Sequence, residues 1–222
     1  MPDSSVSSSG PGRPKDLLKR RAILDAAKTL FLRDGYAATS MDAVAAQAGV
    51  SKLTVYSHFT DKETLFSAAV MARCEEQVPE LFAALNPDLP AGEVLLNVAR
   101  GFQTLINSPE SVQLHRLMVT LGTQDRQLSQ TFFAAGPQRI LQETERLLTR
   151  LHLSGQLQLS SPATAAEHFL SMIKGVSNFR LLVGCGERPD PISAEAHIRD
   201  VVALFMRAYR ADQAGVDEVL GW

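Results

Sequence analysis

The segment from Thr39 to Phe59 constrains the fold more strongly than any other part of the chain. It opens with a Thr-x-x-Asp pattern, completed by Asp42, that is typical of a helix start. Gly49 interrupts the chain after only two helical turns, and Ser51 provides a second helix start. Two short helices joined by a tight, glycine-containing turn form a helix-turn-helix, so the sequence predicts this motif over residues 39–59.

The second short helix has a composition that packing alone does not explain. Val55 and Phe59 are four residues apart and share one face, which anchors the helix on a core. The remaining positions carry groups suited to phosphates and base edges: Lys52, Leu53, Thr54, Tyr56, Ser57 and His58. This division predicts a DNA recognition helix. The alternative is a helical hairpin with a purely structural role.

Helical spacing continues through the rest of the 222 residues. Apolar residues recur every three or four positions from Leu17 to Leu32, where Gly35 ends the first helix, and again after the helix start at Asp61. No segment alternates as a strand does. Pro137 lacks a backbone N–H, so a helix there must start afresh or kink. The chain is predicted to be all-α with about nine helices, the later ones over residues 91–107, 110–121, 125–151, 163–183 and 194–211.

Charge is distributed unevenly, although the net charge is only −2. Residues 13–62 contain nine basic and five acidic residues, whereas residues 63–222 contain thirteen basic and eighteen acidic ones. A basic segment joined to an acidic remainder indicates that only the N-terminal part meets a polyanion. Gly-Arg-Pro-Lys at residues 12–15 resembles an arm that enters a DNA minor groove. The alternative for this arm is a solvated basic linker.

The sequence lacks the signatures of several protein classes. No apolar run approaches the length of a transmembrane helix, and residues 1–14 are predicted to be a disordered, basic-ended arm rather than a signal peptide. Cys74 and Cys185 are expected to remain reduced in a cytoplasmic protein. Motifs of metalloproteases, serine hydrolases and P-loop enzymes are missing, and the five histidines are scattered. We therefore expect no catalysis, no cofactor and no metal site.

The sequence from about residue 19 to residue 66 resembles the DNA-binding domain of TetR-family transcriptional regulators. The similar elements are I-x-x-A-A-x-x-L-F, then G-Y-x-x-T-S-M leading into V-A-x-x-A-G-V-S, and T-V-Y-x-H-F-x-D-K-E-x-L-F. Further on, LHRLMVTLGTQDRQLSQTFFAAGPQRILQETERLL and HFLSMIKGVSNFRLLVG are similar to a subgroup that includes AefR-type and multidrug-efflux regulators. The resemblance implies a three-helix DNA-binding domain over residues 15–62 and a helical effector-binding and dimerisation domain over residues 63–222.

The resemblance also implies roles for individual residues. The family contacts DNA from the positions of Lys52, Leu53, Thr54, Tyr56, Ser57 and His58, and backbone phosphate from those of Thr39, Ser40 and Lys62. Leu53 departs from the glycine, alanine, proline or polar residue of many relatives. It therefore either contacts a thymine methyl group or only packs.

Two groups of apolar residues bear on the C-terminal domain. Candidates for lining an apolar pocket are Phe102, Met118, Phe132, Phe133, Phe169, Met172 and Phe179, with His115 as a polar candidate for orienting a ligand. Two apolar stripes are candidates for a dimer interface through the last two helices: Ala165, Phe169, Met172, Ile173, Val176 and Phe179, and Ile198, Val201, Val202, Phe205, Ala208 and Tyr209. The alternatives are core packing for the pocket candidates and burial within a single chain for the stripes.

Together these features predict a ligand-responsive repressor that acts as a homodimer. Two recognition helices would occupy successive major grooves of a pseudo-palindromic operator in double-stranded DNA. A small, mostly hydrophobic effector would release the protein. The alternative is a DNA-binding regulator or structural protein with no effector. A hollow C-terminal domain favours the first, and a solid one favours the second.

Overall fold

The computed structural model describes residues 13–83 and 89–210. In these residues the regular secondary structure is helical, apart from one isolated backbone bridge between Leu157 and Arg210, which confirms the all-α prediction. The described helices are α1 (Arg13–Ala38), α2 (Met41–Ala48), α3 (Lys52–His58), α4 (Lys62–Ala83), α5 (Ala91–Ile106), α6 (Pro109–Gly122), α7 (Arg126–Ala135), α8 (Pro137–Leu153), α9 (Pro162–Val183) and α10 (Pro191–Tyr209). Residues 1–12 of the predicted arm, and the side chains of residues 13–15, lie outside the described part.

The chain divides into two compact units, a head that ends at Arg73 and a body that begins at Cys74. The sequence placed the end of the DNA-binding domain earlier, at residue 62. Each unit has its own buried apolar residues.

The core of the head holds the two short helices against α1. Ile23, Val44 and Val55, from α1, α2 and α3, are each fully buried, at 0% exposure. The ring of Phe31 meets the ring of Phe66 edge-on, with 4.8 Å between centroids. Burial of this kind provides most of the stability of short helices, because helices of two turns are unstable alone. Val44 and Val55 therefore fix the orientation of α2 and α3.

The body core lies between α5, α8, α9 and α10. Leu95, Leu148, Phe169 and Phe205 belong to one contiguous buried cluster drawn from these four helices. The rings of Phe169 and Phe205 pack with 5.0 Å between centroids. Helices α9 and α10 therefore contribute to the core of their own chain.

This packing corrects the predicted dimer stripes. The stripe residues buried within the body are Ala165, Phe169, Ile173, Ile198, Val201, Val202 and Phe205. The interface prediction was wrong for them, because a side chain buried in its own core is unavailable to a second chain. Val176 and Phe179 remain strongly exposed, at 73% and 63%. The apolar surface that α9 offers to a partner is thus displaced towards its C-terminal end.

Two interruptions divide the helices of the body. Gly136 separates α7 from α8, and Pro137 is the first residue of α8, so the helix starts afresh there. A second interruption, which was not predicted, lies inside α9 at Gly175 (φ 56°, ψ −174°). There the Nε2 atom of His197 lies 3.1 Å from the carbonyl oxygen of Met172. Because a carbonyl only accepts, the imidazole donates this hydrogen bond and ties α10 to the interrupted turn.

Two further findings concern the described residues as a whole. None of their helices is both long and apolar enough to cross a membrane. Within the same ranges, no three histidine, cysteine or acidic side chains form a group that could hold a metal ion.

Candidate nucleic-acid interface and ligand cavity

Local hydrogen bonds set the geometry of the helix-turn-helix. The Ser40 hydroxyl accepts a first-turn backbone N–H of α2 at 3.1 Å, and the Ser51 hydroxyl does the same for α3 at 3.1 Å. Between them, Gly49 adopts the left-handed conformation (φ 66°, ψ 32°), which favours glycine. The prediction for Ser51 is confirmed. The prediction for α2 was one residue early, because Ser40 rather than Thr39 caps it.

Helix α3 turns one face to the core and the other outwards. Val55 is fully buried, whereas Leu53 and Tyr56 are 80% and 43% exposed. Lys52 and Ser57 are also exposed on this helix. Because Leu53 makes so little contact with the head, packing does not account for it.

Polar groups near this face are hydrogen-bonded within the head. The Nζ atom of Lys52 lies 2.9 Å from an Asp42 carboxylate oxygen, and that hydrogen bond raises the pKa of Lys52. The Ser57 hydroxyl donates to the Thr54 carbonyl at 2.7 Å, and the hydroxyls of Thr54 and Ser51 lie 2.8 Å apart. An exposed ion pair contributes little to stability. Lys52 can therefore exchange Asp42 for a phosphate at small cost.

Three further predicted DNA-contacting side chains are engaged inside the head. Thr39 is buried, and its hydroxyl donates to a carbonyl of α1 at 2.8 Å. The side chain of His58 is only 10% exposed, with Nε2 3.0 Å from an Asp16 carboxylate oxygen. The Lys62 ammonium donates to the carbonyls of Tyr36 at 2.9 Å and Thr39 at 3.1 Å. It also lies over the Tyr36 ring, 4.4 Å from the centroid. These three side chains stabilise the helix-turn-helix, whereas the exposed side chains of α3 face solvent.

The body contains a cavity of about 300 Å³, which reaches the lower end of the range for ligand sites, roughly 300–1,000 Å³. Most of its lining is apolar and comes from α5 to α9. The apolar side chains are Phe102, Leu105, Ile106, Leu114, Phe132, Phe133, Pro137, Ile140, Leu141 and Leu170. The polar side chains are Ser111, His115, Glu167, Ser171 and Lys174. The body is therefore hollow rather than solid.

Half of the predicted effector residues line this cavity: Phe102, His115, Phe132 and Phe133. Phe179 lines a smaller cavity of about 200 Å³ that also includes His115. Phe169 is a core residue packed on Phe205 and lines neither cavity. Met118 and Met172 line neither cavity; Met118 is buried and Met172 packs at the edge of the core.

His115 is the polar group whose surroundings are most specific. Its Nδ1 atom lies 2.7 Å from the Ser111 carbonyl oxygen, and its ring meets the Phe132 ring edge-on at 5.5 Å. Burial lowers the pKa of His115, the backbone hydrogen bond to Ser111 partly opposes this, and the positive charge of Lys174 lowers it further. The neutral imidazole is therefore favoured at this position.

The polar lining on α9 was missed from the sequence. Glu167, Ser171 and Lys174 line the cavity together with Leu170. These four residues recur at spacings of three and four, so they share one face of a helix. That spacing is visible in the sequence, but charged residues on such a face are usually solvated. Only the packing of α9 shows that this face borders a cavity.

Comparison with known families gives two matches that cover most of the chain. Residues 23–69 match "Bacterial regulatory proteins, tetR family". Residues 93–211 match "AefR-like transcriptional repressor, C-terminal domain". The first match contains the helix-turn-helix, and the second contains most of the cavity lining.

Individual proteins agree with these matches. YhgD of Bacillus subtilis, an uncharacterized HTH-type transcriptional regulator, is 30% identical over 58% of this chain, and the match spans 62% of the relative's length. A protein from Mesorhizobium loti assigned to the TetR family of transcriptional regulators has a crystal structure that is 29% identical, covers 88% of this chain and 98% of its own, with a TM-score of 0.83. A structure of the flavonoid-responsive regulator FrrA is 29% identical and also covers 88% of this chain and 98% of its own, with a TM-score of 0.71.

Proposed function

Because the chain belongs to the TetR family of bacterial transcriptional regulators, we propose that it is a repressor released from its operator by a small molecule. The family and its relatives are regulators, so the protein is a DNA-binding regulator of transcription and not an enzyme. The repressor itself would be a homodimer on a pseudo-palindromic operator. Its effector would be mostly hydrophobic.

The exposed face of α3 is the observation that carries the DNA-binding part of the proposal. A helix anchored by a fully buried Val55 presents Leu53, 80% exposed, and Tyr56, 43% exposed. Packing in the head does not account for Leu53 and accounts for only part of Tyr56. In a major groove they meet thymine methyl groups, while Lys52 and Ser57 contact phosphates or base edges.

The three engaged side chains take a supporting role in this proposal. Lys62 holds the carbonyls of Tyr36 and Thr39, and His58 lies against Asp16. Each contact joins the helix-turn-helix region to α1 or to the segment that follows it. We therefore assign Thr39, His58 and Lys62 to positioning α2 and α3, and Ser40 to capping α2.

Exposed apolar residues on α9 support the dimer. Val176, Phe179 and Val183 are 73%, 63% and 56% exposed and lie on successive turns. Large exposed apolar groups that recur on one helix mark an interaction surface. A second copy of the chain would cover it with the same surface, as two-fold symmetry requires.

The cavity supports the response to a ligand. Its volume of about 300 Å³ is far above the ~10–15 Å³ that a single water needs, and its lining is mostly apolar. One similar structure is that of a flavonoid-responsive regulator, which makes a small-molecule effector a reasonable expectation for this chain. The effector-free alternative predicts instead that no ligand stabilises the body.

Selection from randomised DNA tests the DNA-binding part. We expect the bound sequences to contain two inverted half-sites whose centres are about 34–36 Å, or a multiple of that spacing, apart. Sequence-independent binding, or a single half-site, would contradict the proposed dimeric repressor.

Light scattering tests the dimer. We expect twice the 24.2 kDa chain mass for the wild type, and the monomer mass for Phe179→Lys. Leu153→Lys is the matched control, because Leu153 on α8 is also exposed, at 78%, and lies outside the proposed surface. A monomeric wild type would contradict the dimer, and a dimeric Phe179→Lys variant would contradict this interface.

A further inference from the structure

The chemistry of the cavity restricts the ligand beyond "mostly hydrophobic". The charged side chains in its lining are Glu167 and Lys174, one of each sign. A ligand that enters an apolar site with an uncompensated charge loses its hydration without a full replacement. The cavity therefore favours a ligand without net charge. The rings of Phe102, Phe132 and Phe133 in the lining favour an aromatic one.

The hydrogen bond of His115 fixes which of its nitrogen atoms carries the proton. The Ser111 oxygen, 2.7 Å from Nδ1, is a carbonyl and can only accept. Nδ1 therefore carries the proton and donates a hydrogen bond to this oxygen. In the neutral imidazole, Nε2 then has no proton and is a hydrogen-bond acceptor. Burial and the nearby Lys174 both favour that neutral form.

The acceptor at Nε2 has no donor among the residues that the structure describes, since the Ser111 carbonyl is the recorded hydrogen-bond partner of this imidazole. The edge-on contact with Phe132, at 88° between the ring planes, holds the ring in place. The lining also holds the side-chain oxygens of Ser111, Ser171 and Glu167, but the acceptor on His115 is the one whose direction is set by both a backbone hydrogen bond and a ring contact. Such a group selects for a ligand that donates a hydrogen bond at that point.

We propose that the effector is an uncharged, hydroxylated aromatic molecule whose hydroxyl donates a hydrogen bond to Nε2 of His115. This inference rests on the proposed function, because it concerns the same cavity. His115 is then the residue that determines specificity. A ligand of the same shape without the hydroxyl proton leaves Nε2 unpaired, and we expect it to bind roughly 5- to 100-fold more weakly.

Calorimetric titration of the full chain with matched ligands tests this. The probes are small phenols and their methyl ethers, for example 2-naphthol and 2-methoxynaphthalene. The ether keeps the aromatic rings and the oxygen but cannot donate. We expect the wild type to prefer the phenol, a comparison that depends on no variant. Equal affinity for phenol and ether, or a preference for the ether, would overturn the inference and leave the cavity as an effector site.

Substitutions assign the preference to His115. We expect His115→Phe, which keeps an aromatic ring in the wall, to bind phenol and ether equally, and His115→Gln, whose amide oxygen accepts, to retain the preference. His168→Phe is the matched control, because His168 is exposed, contacts the Tyr209 hydroxyl at 2.9 Å and lies outside the cavity. A preference that survives in His115→Phe would overturn the role of His115. If no phenol or ether of the panel binds the wild type, this inference is overturned, whereas the ligand-responsive function fails only if the other aromatics and the fatty-acyl compounds also leave the melting temperature unchanged.

Discussion

The head and the body differ in how their candidate functional surfaces are formed from the sequence. In the head, the exposed face comes from one seven-residue helix, Lys52–His58, whose neighbours in sequence are neighbours in space. In the body, the cavity is lined by residues from Cys74 to Lys174, distributed over six helices. The head is therefore defined by a local motif, and the body is defined by packing. This difference predicts that substitutions on the exposed face of α3 act locally, whereas core substitutions in the body unfold the whole unit.

The largest expected effect is that of Phe205→Glu in the body. Phe205 is fully buried and packs on Phe169, so the variant would place an unpaired charge in the core. We expect the free energy of unfolding to fall by more than about 4 kcal/mol. Chemical denaturation measures it. Leu204→Glu is the control, because Leu204 is half exposed. This variant should lose much less free energy of unfolding. Equal losses for the two variants would contradict the assignment of Phe205 to the core.

An intermediate effect is expected for Tyr56→Ala in the head. We expect operator binding to weaken by roughly 1–3 kcal/mol, measured by fluorescence anisotropy, with unchanged circular dichroism, because Tyr56 is not part of the buried core of the head. Tyr56→Phe separates the two parts of the side chain. It keeps the ring, so a loss of operator affinity as large as that of Tyr56→Ala would assign the contact to the hydroxyl. Unchanged operator affinity in Tyr56→Ala would contradict the assignment of α3 as the recognition helix.

A smaller effect, opposite in sign between the two units, is expected for Gly→Ala substitutions. Gly49 has φ +66° with open space around its added Cβ, so only backbone strain opposes alanine there. We expect a destabilisation of about 1 kcal/mol. Gly92 in α5 also has open space but no positive φ. Alanine there should stabilise by up to about 1 kcal/mol. If urea denaturation showed changes of the same sign in the free energy of unfolding of the two variants, this account of the turn would be contradicted.

The smallest expected effect is a pH dependence of stability that originates at His115. Burial lowers the pKa of this imidazole in the folded body. As the pH falls through the ordinary histidine range, near 6.5, the unfolded chain binds the proton before the folded one does, so stability decreases towards acid pH. His115→Phe removes this contribution. We therefore expect its unfolding free energy to fall less between pH 7.5 and 5.5 than that of the wild type. An equal or steeper fall in the variant would contradict a partly buried, neutral His115.

The same contrast explains what the sequence could and could not predict. The apolar anchors Val44 and Val55 and the cap Ser51 follow from spacing within twenty residues, and the structure confirms them. The engagement of Lys62 with the Tyr36 carbonyl depends on how residues twenty-six positions apart meet, and no local pattern encodes it. Phe169 and Phe133 look alike in sequence, yet one is core and the other borders the cavity.

The prediction of which residues form the dimer interface was wrong for the buried part of the stripes, for a related reason. The apolar stripes of α9 and α10 are visible in the sequence, but a stripe does not specify its partner. In the structure α5 and α8 cover most of them, and the large apolar stripe residues that stay exposed are Val176 and Phe179 near the end of α9. Helical periodicity predicts that a face is buried, whereas the packing of the other helices decides what buries it.

The central claim is that a ligand in the body changes DNA binding by the head, and anisotropy titration of operator DNA tests it most directly. The titration is run with and without a saturating amount of the ligand that raises the melting temperature most in a screen of phenols, other aromatics and fatty-acyl compounds. We expect operator affinity to fall at least about tenfold, a coupling of about 1.4 kcal/mol. By reciprocity, operator should weaken ligand binding by the same factor. Unchanged operator affinity at saturation would contradict the claim and support a regulator without an effector.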